Sequence, residues 1–532
     1  MNTLNCDYLI IGGGTAGCVL ANRLSADGRH QVVMLEAGGK DDDKNIHIPA
    51  GIRSLLKSKK HNWFYMTEPS ALVNGRSIYW PRGKVLGGSS SINGMVYIRG
   101  QASDYDRWEK SGATGWNWKN LFPYFLMIEN QTRGADEFHA TGGPLTVSDR
   151  TNKSEVWNQF IESAVRLGVP RNPDFNGARQ EGVGFYQATV DKGRRCSAAV
   201  GYLRPAENRK NLTVITHALA RQILIEEGRA VGAVYESKGQ IFEIRSNREV
   251  ILCGGSINSP QLLMLSGIGP KAHLEEMGIA VQVDAPQVGK NLQDHLQLRI
   301  TYRLNKPITF NEQYHSLVGK IKIGLEYIFR KSGPMAYPTA QVGLFTRSGA
   351  SVETPDIQYH FSNYSINETT GVPDSFPGMT FSVCHLRPET RGEILLNNTD
   401  PNEHPQIIPN YLSADEDCRV AIEAIRLTRK IASTQPLASL IHEEVNPGHQ
   451  VMSDADCLDF ARSNGTSIYH PVGTCRMGSD ADAVVDPSLM VRGVENLRVV
   501  DASVMPTLIS GNTYAATLVI AERAAHLILN AN

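Results

Sequence analysis

A large net charge of either sign is absent from this chain of 532 residues. Its 53 lysines and arginines are balanced by 54 aspartates and glutamates, so the formal net charge is −1. Proteins bind nucleic acid through an excess of basic side chains, and we therefore expect no nucleic-acid partner. A hydrophobic content of 41% and a charged content of 20% instead predict an ordinary globular protein.

Long apolar runs are also absent. No uninterrupted apolar stretch reaches the roughly 20 residues that a helix needs to cross a bilayer. No basic segment followed by an apolar one precedes Asp7, so we expect no signal peptide and a cytoplasmic protein. Peripheral contact with the inner membrane stays open, and nothing in the sequence indicates the oligomeric state.

Cysteine is scarce and scattered. The eight cysteines form no C-x-x-C pair and no cluster with histidine at metal-binding spacing. We therefore expect no metal site. Buried, reduced thiols are also expected rather than disulfides, because the cytoplasm keeps thiols reduced.

The start of the chain carries the first dense motif. Residues 8–11 are apolar and predict a strand buried on both faces of a parallel sheet. Gly12, Gly14 and Gly17 follow with the spacing G-x-G-x-x-G. The first permits a tight turn, the second lets the backbone approach a pyrophosphate, and the third packs a helix against its strand. Apolar residues at helical spacing continue to Leu24.

An acidic residue completes this unit. Residues 32–35 predict a second strand, and Glu36 stands at its carboxyl end. A carboxylate there accepts both hydroxyls of an adenosine ribose and repels a 2′-phosphate. Residues 8–36 therefore predict a dinucleotide site, which taken alone fits NAD and FAD equally well.

A second concentration of glycine and serine lies at residues 80–97. It includes Gly83 and Gly88 and is flanked by Arg82 and Lys84. Its backbone N–H groups can form an anion-binding nest, and its small residues can lie flat against a planar cofactor. A flexible linker is the alternative, but a linker does not usually carry so many apolar residues in the same run. We favour contact with the cofactor.

Two further segments favour the same site. Residues 253–260 are small and predict a turn between the strand at 249–252 and an apolar, helix-like run at 261–265. A turn of this kind favours contact with phosphate or flavin. Near the end of the chain, Asp501 follows a predicted strand at 498–500, as a carboxylate at the cofactor edge of a sheet does.

The region 300–446 has a different pattern of predicted secondary structure. Strand-like stretches at 357–361 and 379–383 alternate with loops, and a helix is predicted over 415–432. A chain of this length is not expected to form a single core. We therefore predict a second domain, an antiparallel sheet with helices, beside the Rossmann-like part.

These motifs together resemble the glucose–methanol–choline (GMC) flavoprotein oxidoreductases over essentially the whole chain. Two signature segments of that family are uninterrupted here, at residues 83–106 and 255–269. The runs 80–100 and 469–478 look most like bacterial alcohol and choline dehydrogenases. The resemblance implies FAD as the cofactor. In relatives that attach the flavin through histidine, that residue precedes the asparagine of the glycine-serine segment. Ile92 stands there, which favours a dissociable FAD.

The fold class that we predict is α/β, with α+β character overall. A Rossmann-like FAD-binding domain is expected from residues 1–155, 200–310 and 455–532. A substrate domain, in which helices flank an antiparallel sheet, is expected from residues 156–199 and 311–454.

The family's catalytic pair falls on His470 and Asn512. Oxidising an alcohol by hydride transfer to flavin N5 requires removal of the hydroxyl proton, and the ordinary pKa of histidine, ~6.5, lies nearest to working pH. The second position hydrogen-bonds the developing alkoxide. We expect four other histidines to be structural: His217, His295, His360 and His385. The resemblance nevertheless places His295 near the cofactor.

The resemblance also assigns the cofactor-binding residues. The adenosine half of FAD would be held by Gly12, Gly14, Thr15, Ala16, Gly17, Glu36 and Ala37. The pyrophosphate and isoalloxazine would be lined by Arg82, Gly83, Gly88, Asn93, Gly94, Met95 and Val96. The ribityl-to-ring portion would be contacted by Asp501, Ala502, Asn512 and Thr513.

The resulting hypothesis is an FAD-dependent primary alcohol dehydrogenase with a quinone or other non-oxygen electron acceptor. By resemblance, medium-chain aliphatic alcohols or polyethylene glycol are the favoured substrates. A choline dehydrogenase, an oxidase that produces hydrogen peroxide and a flavin-bearing lyase stay open as alternatives. A choline site needs an aromatic cage, usually with a carboxylate, and the sequence alone does not place such residues around a site.

Overall fold

Two seven-stranded sheets organise the chain. The computed structural model describes residues 4–149, 154–338, 340–367 and 371–530. In chain order, the strands of the two sheets are β1 (Leu4–Ile11), β2 (Val32–Glu36), β3 (Gly182–Phe185), β4 (Leu212–Thr216), β5 (Ala218–Glu226), β6 (Arg229–Ser237), β7 (Gln240–Leu252), β8 (Leu296–Leu304), β9 (Val342–Thr346), β10 (Ile357–Ser362), β11 (Gly378–His385), β12 (Ile441–Asn446), β13 (Thr466–Ser467) and β14 (Leu497–Val499).

Helices occupy much of the remaining described chain. They are α1 (Thr15–Leu24), α2 (Lys44–His47), α3 (Ile52–Leu56), α4 (Ala102–Lys110), α5 (Trp118–Ile128), α6 (Glu155–Arg166), α7 (Arg204–Ala206), α8 (Gly255–Leu265), α9 (Lys271–Glu276), α10 (Phe310–His315), α11 (Leu317–Arg330), α12 (Asp415–Ala432), α13 (Asp454–Asn464) and α14 (Tyr514–Asn530). Short 3₁₀ or π turns lie at Pro49–Gly51, Ala71–Val73, Gly88–Ser91, Ala199–Leu203, Pro334–Ala336, Leu437–Leu440 and Ala502–Val504.

Short strands outside the two sheets pair two by two. The pairs are Tyr65–Met66 with Tyr79–Trp80, Val96–Tyr97 with Gln187–Ala188, Glu129–Gln131 with Leu145–Val147, Val190–Asp191 with Arg194–Arg195, Ile268–Gly269 with Val283–Asp284, and Glu393–Leu395 with Gln406–Ile408.

The first sheet has the order β4-β2-β1-β7-β6-β5, and β14 also pairs with β7. Strands β4, β2, β1, β7 and β14 run parallel, whereas β5 and β6 add an antiparallel hairpin. Leu9, Ile10 and Met34 are fully buried, as expected of strands covered on both faces. The predicted strand–helix–strand unit is therefore present, and the end of the chain completes its sheet through β14.

The C-terminal helix α14 packs on α1 and holds it in place. Glu522, which is buried, accepts two hydrogen bonds from the guanidinium of Arg23 at 2.8 and 2.7 Å. It also accepts one from the hydroxyl of Tyr202 at 2.8 Å. A buried carboxylate that is paired on both oxygens strongly restricts the geometry of the helices that carry it. The position of α1 beneath the glycine loop is thus set partly by the last helix of the chain.

The second sheet is antiparallel throughout, with the order β12-β8-β11-β10-β9-β3 and β13 paired to β8. Its core is shared with α6, α12 and α13. Phe160 of α6 stacks on Phe361 with ring centroids 4.2 Å apart. Helix α12 has the predicted bounds, with acidic residues in its first turn and basic residues in its last, as the helix dipole favours. The predicted two-part fold class is confirmed.

The chain passes from the first sheet to the second directly after His295. Strand β8 begins at Leu296 and pairs with β11 and β12, although it lies in the segment 200–310 that we assigned to the FAD-binding domain. Strand β13 likewise pairs in the second sheet from within the segment 455–532. The domain boundaries themselves stay a prediction.

Candidate active site

A cavity of about 1070 Å³ is lined by residues of both sheets. The carboxyl ends of β1 and β2 contribute Ile11 and Glu36, and the second sheet contributes Arg299 and Ser382. Sites for a small ligand usually measure about 300–1,000 Å³. This cavity therefore has room for a dinucleotide together with a substrate.

The cavity brings together nearly all of the residues predicted from the sequence. Both proposed catalytic residues and every proposed cofactor-binding residue except Gly17 line it. Gly17 lies instead at the contact between α1 and β1, where a Cβ atom would stand 1.9 Å from the carbonyl oxygen of Gly12. Its role is to let the helix approach the strand, as the third glycine of the motif requires, and it does not face the cavity.

Glu36 holds the backbone of the glycine loop. Its carboxylate accepts hydrogen bonds from the N–H of Gly13 at 2.8 Å and from the N–H of Gly38 at 2.7 Å. Burial raises the pKa of this carboxyl to about 7, against the opposing effect of the two backbone N–H groups. The expected contact of Glu36 with a ribose is therefore accompanied by a structural task that the sequence motif did not reveal.

The first turn of α1 forms an anion-binding end of the cavity. Gly14 is its N-cap, and neither a capping side chain nor an acidic residue occupies the first turn. The unpaired N–H groups and the positive end of the helix dipole therefore suit a pyrophosphate. The second glycine-rich segment lies against this loop, since a Cβ on Gly88 would stand 2.7 Å from the Cα of Gly14.

Bare backbone forms other parts of the cavity wall. Gly94 and Gly255 both line the cavity, and no atom lies within 4 Å of the position that a Cβ would take at either residue. A side chain at these positions would occupy the space of a flat ring. Segment 253–260 differs from our prediction, because α8 begins at Gly255 and takes in most of the expected turn. Together with Glu36 and the N-terminal turn of α1, the bare backbone at Gly94 and Gly255 fits FAD.

The backbone around His470 is locked from three sides. Its N–H donates to the carboxylate of Asp294 at 2.6 Å, and the preceding carbonyl of Tyr469 accepts from Arg82 at 2.6 Å. The N–H of Tyr469 donates to Ser467 at 2.7 Å. Tyr469 has φ +69°, a conformation that costs a bulky residue roughly 1–3 kcal/mol and persists only where the surroundings impose it. The imidazole is thereby aimed into the cavity by its main chain.

The ring of His295 determines which nitrogen of His470 carries a proton. Nε2 of His295 lies 3.0 Å from the carbonyl oxygen of Leu386. A carbonyl only accepts, so this nitrogen is the donor and Nδ1 of the neutral ring is an acceptor. That Nδ1 lies 3.0 Å from Nδ1 of His470, which must therefore donate. Nε2 of His470 therefore carries no proton and keeps its lone pair as an acceptor.

Asn512 faces that lone pair. Its amide Nδ2 lies 3.2 Å from Nε2 of His470, and its Oδ1 accepts from Gln358 at 3.2 Å. The contact with Gln358 orients the amide so that its N–H groups point to His470. Gln358 also donates to His360 at 3.3 Å. Among the described residues, Nδ1 of His360 is a buried atom without a hydrogen-bond partner.

Burial keeps the histidine group neutral. It lowers the pKa of His470 well below 6.5, and the neighbouring His295, His360 and Arg82 lower it further. The pKa of His295 falls to about 3 and that of His360 to about 4, in both cases mainly through burial. A neutral His470 is a base at neutral pH.

The sequence did not predict three residues of this site, Asp294, Gln358 and His360. Our structural interpretation of His295 and His360 missed their contacts with the proposed catalytic pair. Nothing in the sequence around Asp294 and His295 indicates contact with a residue some 175 positions away. The other two histidines lie elsewhere: His217 donates its backbone N–H to Gly38, and His385 lies 3.3 Å from Asp417.

A parallel nucleotide-binding sheet, two glycine loops and a neutral histidine around one cavity define a dinucleotide-dependent oxidoreductase. Comparison with known proteins then identifies the family. Family models described as GMC oxidoreductase match residues 6–297 and 388–521. The chain belongs to the GMC oxidoreductases, and it is an FAD-dependent enzyme that acts on CH–OH groups.

Similar proteins cover nearly the whole chain. An "Alcohol dehydrogenase [acceptor]" of Pseudomonas putida is 44% identical, over 98% of this chain and 95% of its own length. An "Oxygen-dependent choline dehydrogenase" of Photobacterium profundum is 42% identical, over 99% of this chain and 94% of its own. The crystal structure of a pyridoxine 4-oxidase from Mesorbium loti is 32% identical with a TM-score of 0.90, over 98% and 99% of the two chains.

The raised pKa of Glu36 predicts that FAD binding depends on pH. With a pKa of about 7 in the cofactor-free protein, the carboxyl is protonated below that pH and loses acceptor capacity. We expect the Kd for FAD to rise as the pH falls through about 7. Glu36→Gln should bind FAD roughly tenfold more weakly and without this pH step. Titration of the deflavinated protein by flavin fluorescence measures both effects, with the exposed Glu207→Gln as control. A pH step retained in Glu36→Gln would assign the titration to another group.

Proposed function

We propose that this enzyme oxidises a primary alcohol to the aldehyde with His470 as general base, and passes the electrons to a quinone or another non-oxygen acceptor. The observation that carries the proposal is the lone pair on Nε2 of His470, which lies beside the Asn512 amide on the wall of the cavity. A base and a hydrogen-bond donor at one point are what removal of a hydroxyl proton requires.

The residues of the chain divide the task between them. Nε2 of His470 takes the hydroxyl proton, while Nδ1–H stays donated to His295. The Asn512 amide donates to the substrate oxygen as negative charge develops there. FAD, when bound, supplies the acceptor of the hydride at N5. The pKa of His470 is low, so the hydroxyl proton moves to Nε2 only together with two effects that reduce the negative charge on the substrate oxygen. These are the departure of the hydride and the hydrogen bond from Asn512.

The choice of an alcohol substrate and a non-oxygen acceptor is supported by the relative named "Alcohol dehydrogenase [acceptor]". Apolar residues supply part of the cavity wall on the side of the second sheet, among them Ile323, Met335 and Ile366. Such a wall suits an aliphatic chain better than a polar substrate.

Choline oxidation is the second candidate. It is supported by the choline dehydrogenase relative and by Tyr314, Tyr364 and Glu326 on the cavity wall, since rings with a carboxylate can bind a quaternary ammonium. However, the ring of Tyr314 is already covered by the ammonium group of Lys320, with Nζ 4.8 Å from the ring centroid. This favours the aliphatic alcohol.

Anaerobic mixing of the holoenzyme with candidate substrates tests the proposal. We expect 1-octanol to bleach the flavin absorbance and choline to do so far more slowly. A soluble ubiquinone analogue should then restore the oxidised spectrum faster than air does, with little peroxide formed. Faster bleaching by choline would support the second candidate. Rapid peroxide formation would indicate an oxidase, and turnover with the flavin oxidised throughout would indicate a lyase.

Removal of the base should slow flavin reduction without loss of the cofactor. We expect His470→Ala to retain FAD and to reduce its flavin about 10²-fold more slowly, because general-base catalysis contributes at least that factor. The exposed His442→Ala is the matched control. Stopped-flow absorbance with saturating alcohol measures the rate constant. Unchanged reduction in His470→Ala would remove this residue from the mechanism.

The tautomer of His470 should depend on His295. His295→Leu removes the acceptor for Nδ1–H of His470, so the proton can move to Nε2 and block the base; we expect flavin reduction to slow by about 10²-fold. His295→Asn places an amide oxygen near the position of Nδ1 and should restore most of the rate. Equal rates in the two variants would show that His295 fills space without positioning the proton.

A further inference from the structure

Helix α11 presents an apolar face to solvent. Six of its large apolar residues are 48–79% exposed. At 3.6 residues per turn they fall within an arc of about 120°. A stripe of this kind normally packs against the core. We define the outer face of α11 by these residues: Leu317, Val318, Ile321, Leu325, Ile328 and Phe329.

Basic residues border this outer face. Lys322 lies beside one edge of the apolar arc, and Lys331 follows at the carboxyl end. Lys320 and Arg330 lie farther round the helix, and Lys320 faces the cavity and the ring of Tyr314. The single acidic residue of the helix, Glu326, lines the cavity and accepts from the hydroxyl of Ser332 at 3.1 Å. The charge beside the apolar arc is therefore positive.

We propose that the outer face of α11 docks the enzyme on an anionic lipid bilayer, with the helix in the plane of the membrane surface. An exposed apolar face bordered by lysine and arginine is the pattern of helices that bind at such interfaces. Anionic head groups attract the basic border while the apolar side chains enter the acyl region. Among the described residues, no helix is long and apolar enough to cross the membrane.

A second copy of the chain fits this face less well. Helix α11 has 14 residues and is about 21 Å long and about 10 Å wide, which offers roughly 200 Å². A stable interface needs about 800 Å² per partner. In a symmetric dimer the same patch meets itself, so the lysines of the two copies would approach each other. A bilayer binds such a helix with a strength that grows with the buried apolar area and with the attraction of anionic lipids for basic side chains, and it supplies the opposite charge.

The opposite side of α11 belongs to the cavity. Lys320, Ile323 and Glu326 line it, as do Pro334 and Met335 in the turn that follows. Docking through the outer face therefore places this wall of the cavity at the lipid surface. A quinone or a long-chain alcohol dissolves in lipid, so both would be concentrated at this wall of the cavity. That consequence rests on the proposed function. The docking itself does not rest on it.

Vesicle sedimentation with the full-length holoenzyme tests the docking. We expect the protein to pellet with vesicles of phosphatidylcholine mixed with phosphatidylglycerol, and much less with phosphatidylcholine alone or at high salt. The double variant Ile328→Ser/Phe329→Ser should bind the anionic vesicles at least about tenfold more weakly than wild type. Lys322→Gln should bind them about fivefold more weakly. Met452→Ser is the matched control, because Met452 is 69% exposed elsewhere on the surface. Flavin spectrum and thermal midpoint verify folding.

Three results would contradict docking on a bilayer. A wild-type protein that stays in the supernatant with the anionic vesicles overturns the proposal. So does a double variant that sediments like wild type. If light scattering shows a dimer that the double variant converts to a monomer, the outer face is covered by a second copy instead. None of these readings uses alcohol or an acceptor, so they are independent of the test of His470.

Discussion

The hydrogen bond from the backbone N–H of His470 to Asp294 is the constraint on which the proposed active site depends. The carboxylate also accepts from Ser467 at 2.5 Å and from the hydroxyl of Tyr411. Burial raises the pKa of Asp294 to about 6, and these hydrogen bonds and Arg82 oppose that rise. Because Asp294 lies two residues before β8 of the second sheet and accepts from Ser467 of β13, one carboxylate joins the second sheet to the proposed base.

The proposed proton acceptor is assembled by contacts that reach far along the chain. His295 supplies an acceptor for one nitrogen of His470, and Asn512 supplies a donor to the other. Each of these partners is oriented in turn, by the carbonyl of Leu386 and by the side chain of Gln358. In a buried site a hydrogen bond is stronger than it is in water, so these contacts hold each ring and amide in one orientation. They leave Nε2 of His470 unprotonated beside Asn512 on the cavity wall.

The cofactor side depends on close approach between backbones. Gly88 nearly touches Gly14, and Gly17 nearly touches the carbonyl of Gly12. The sequence predicted the packing role of Gly17, because the third glycine of the motif has a local physical meaning, but it did not predict the contact of Gly88 with Gly14. The strand–helix–strand unit and the bounds of α12 follow from such local signals, whereas the family resemblance supplied the cofactor-binding residues that line the cavity. The double role of Glu36 does not, since its partners are backbone groups without a sequence signature.

From the sequence, the family resemblance indicated FAD and the proposed base, because the glycine spacing and the residues beside His470 that carry this resemblance are local properties. Tertiary structure decided the roles of His295 and His360, the entry of β8 and β13 into the second sheet, and the exposure of α11. Helical spacing predicts that an apolar stripe exists, but whether the stripe is covered depends on what packs against it. Likewise, whether a histidine is structural or positions a proton depends on neighbours that only the folded chain brings within hydrogen-bond distance.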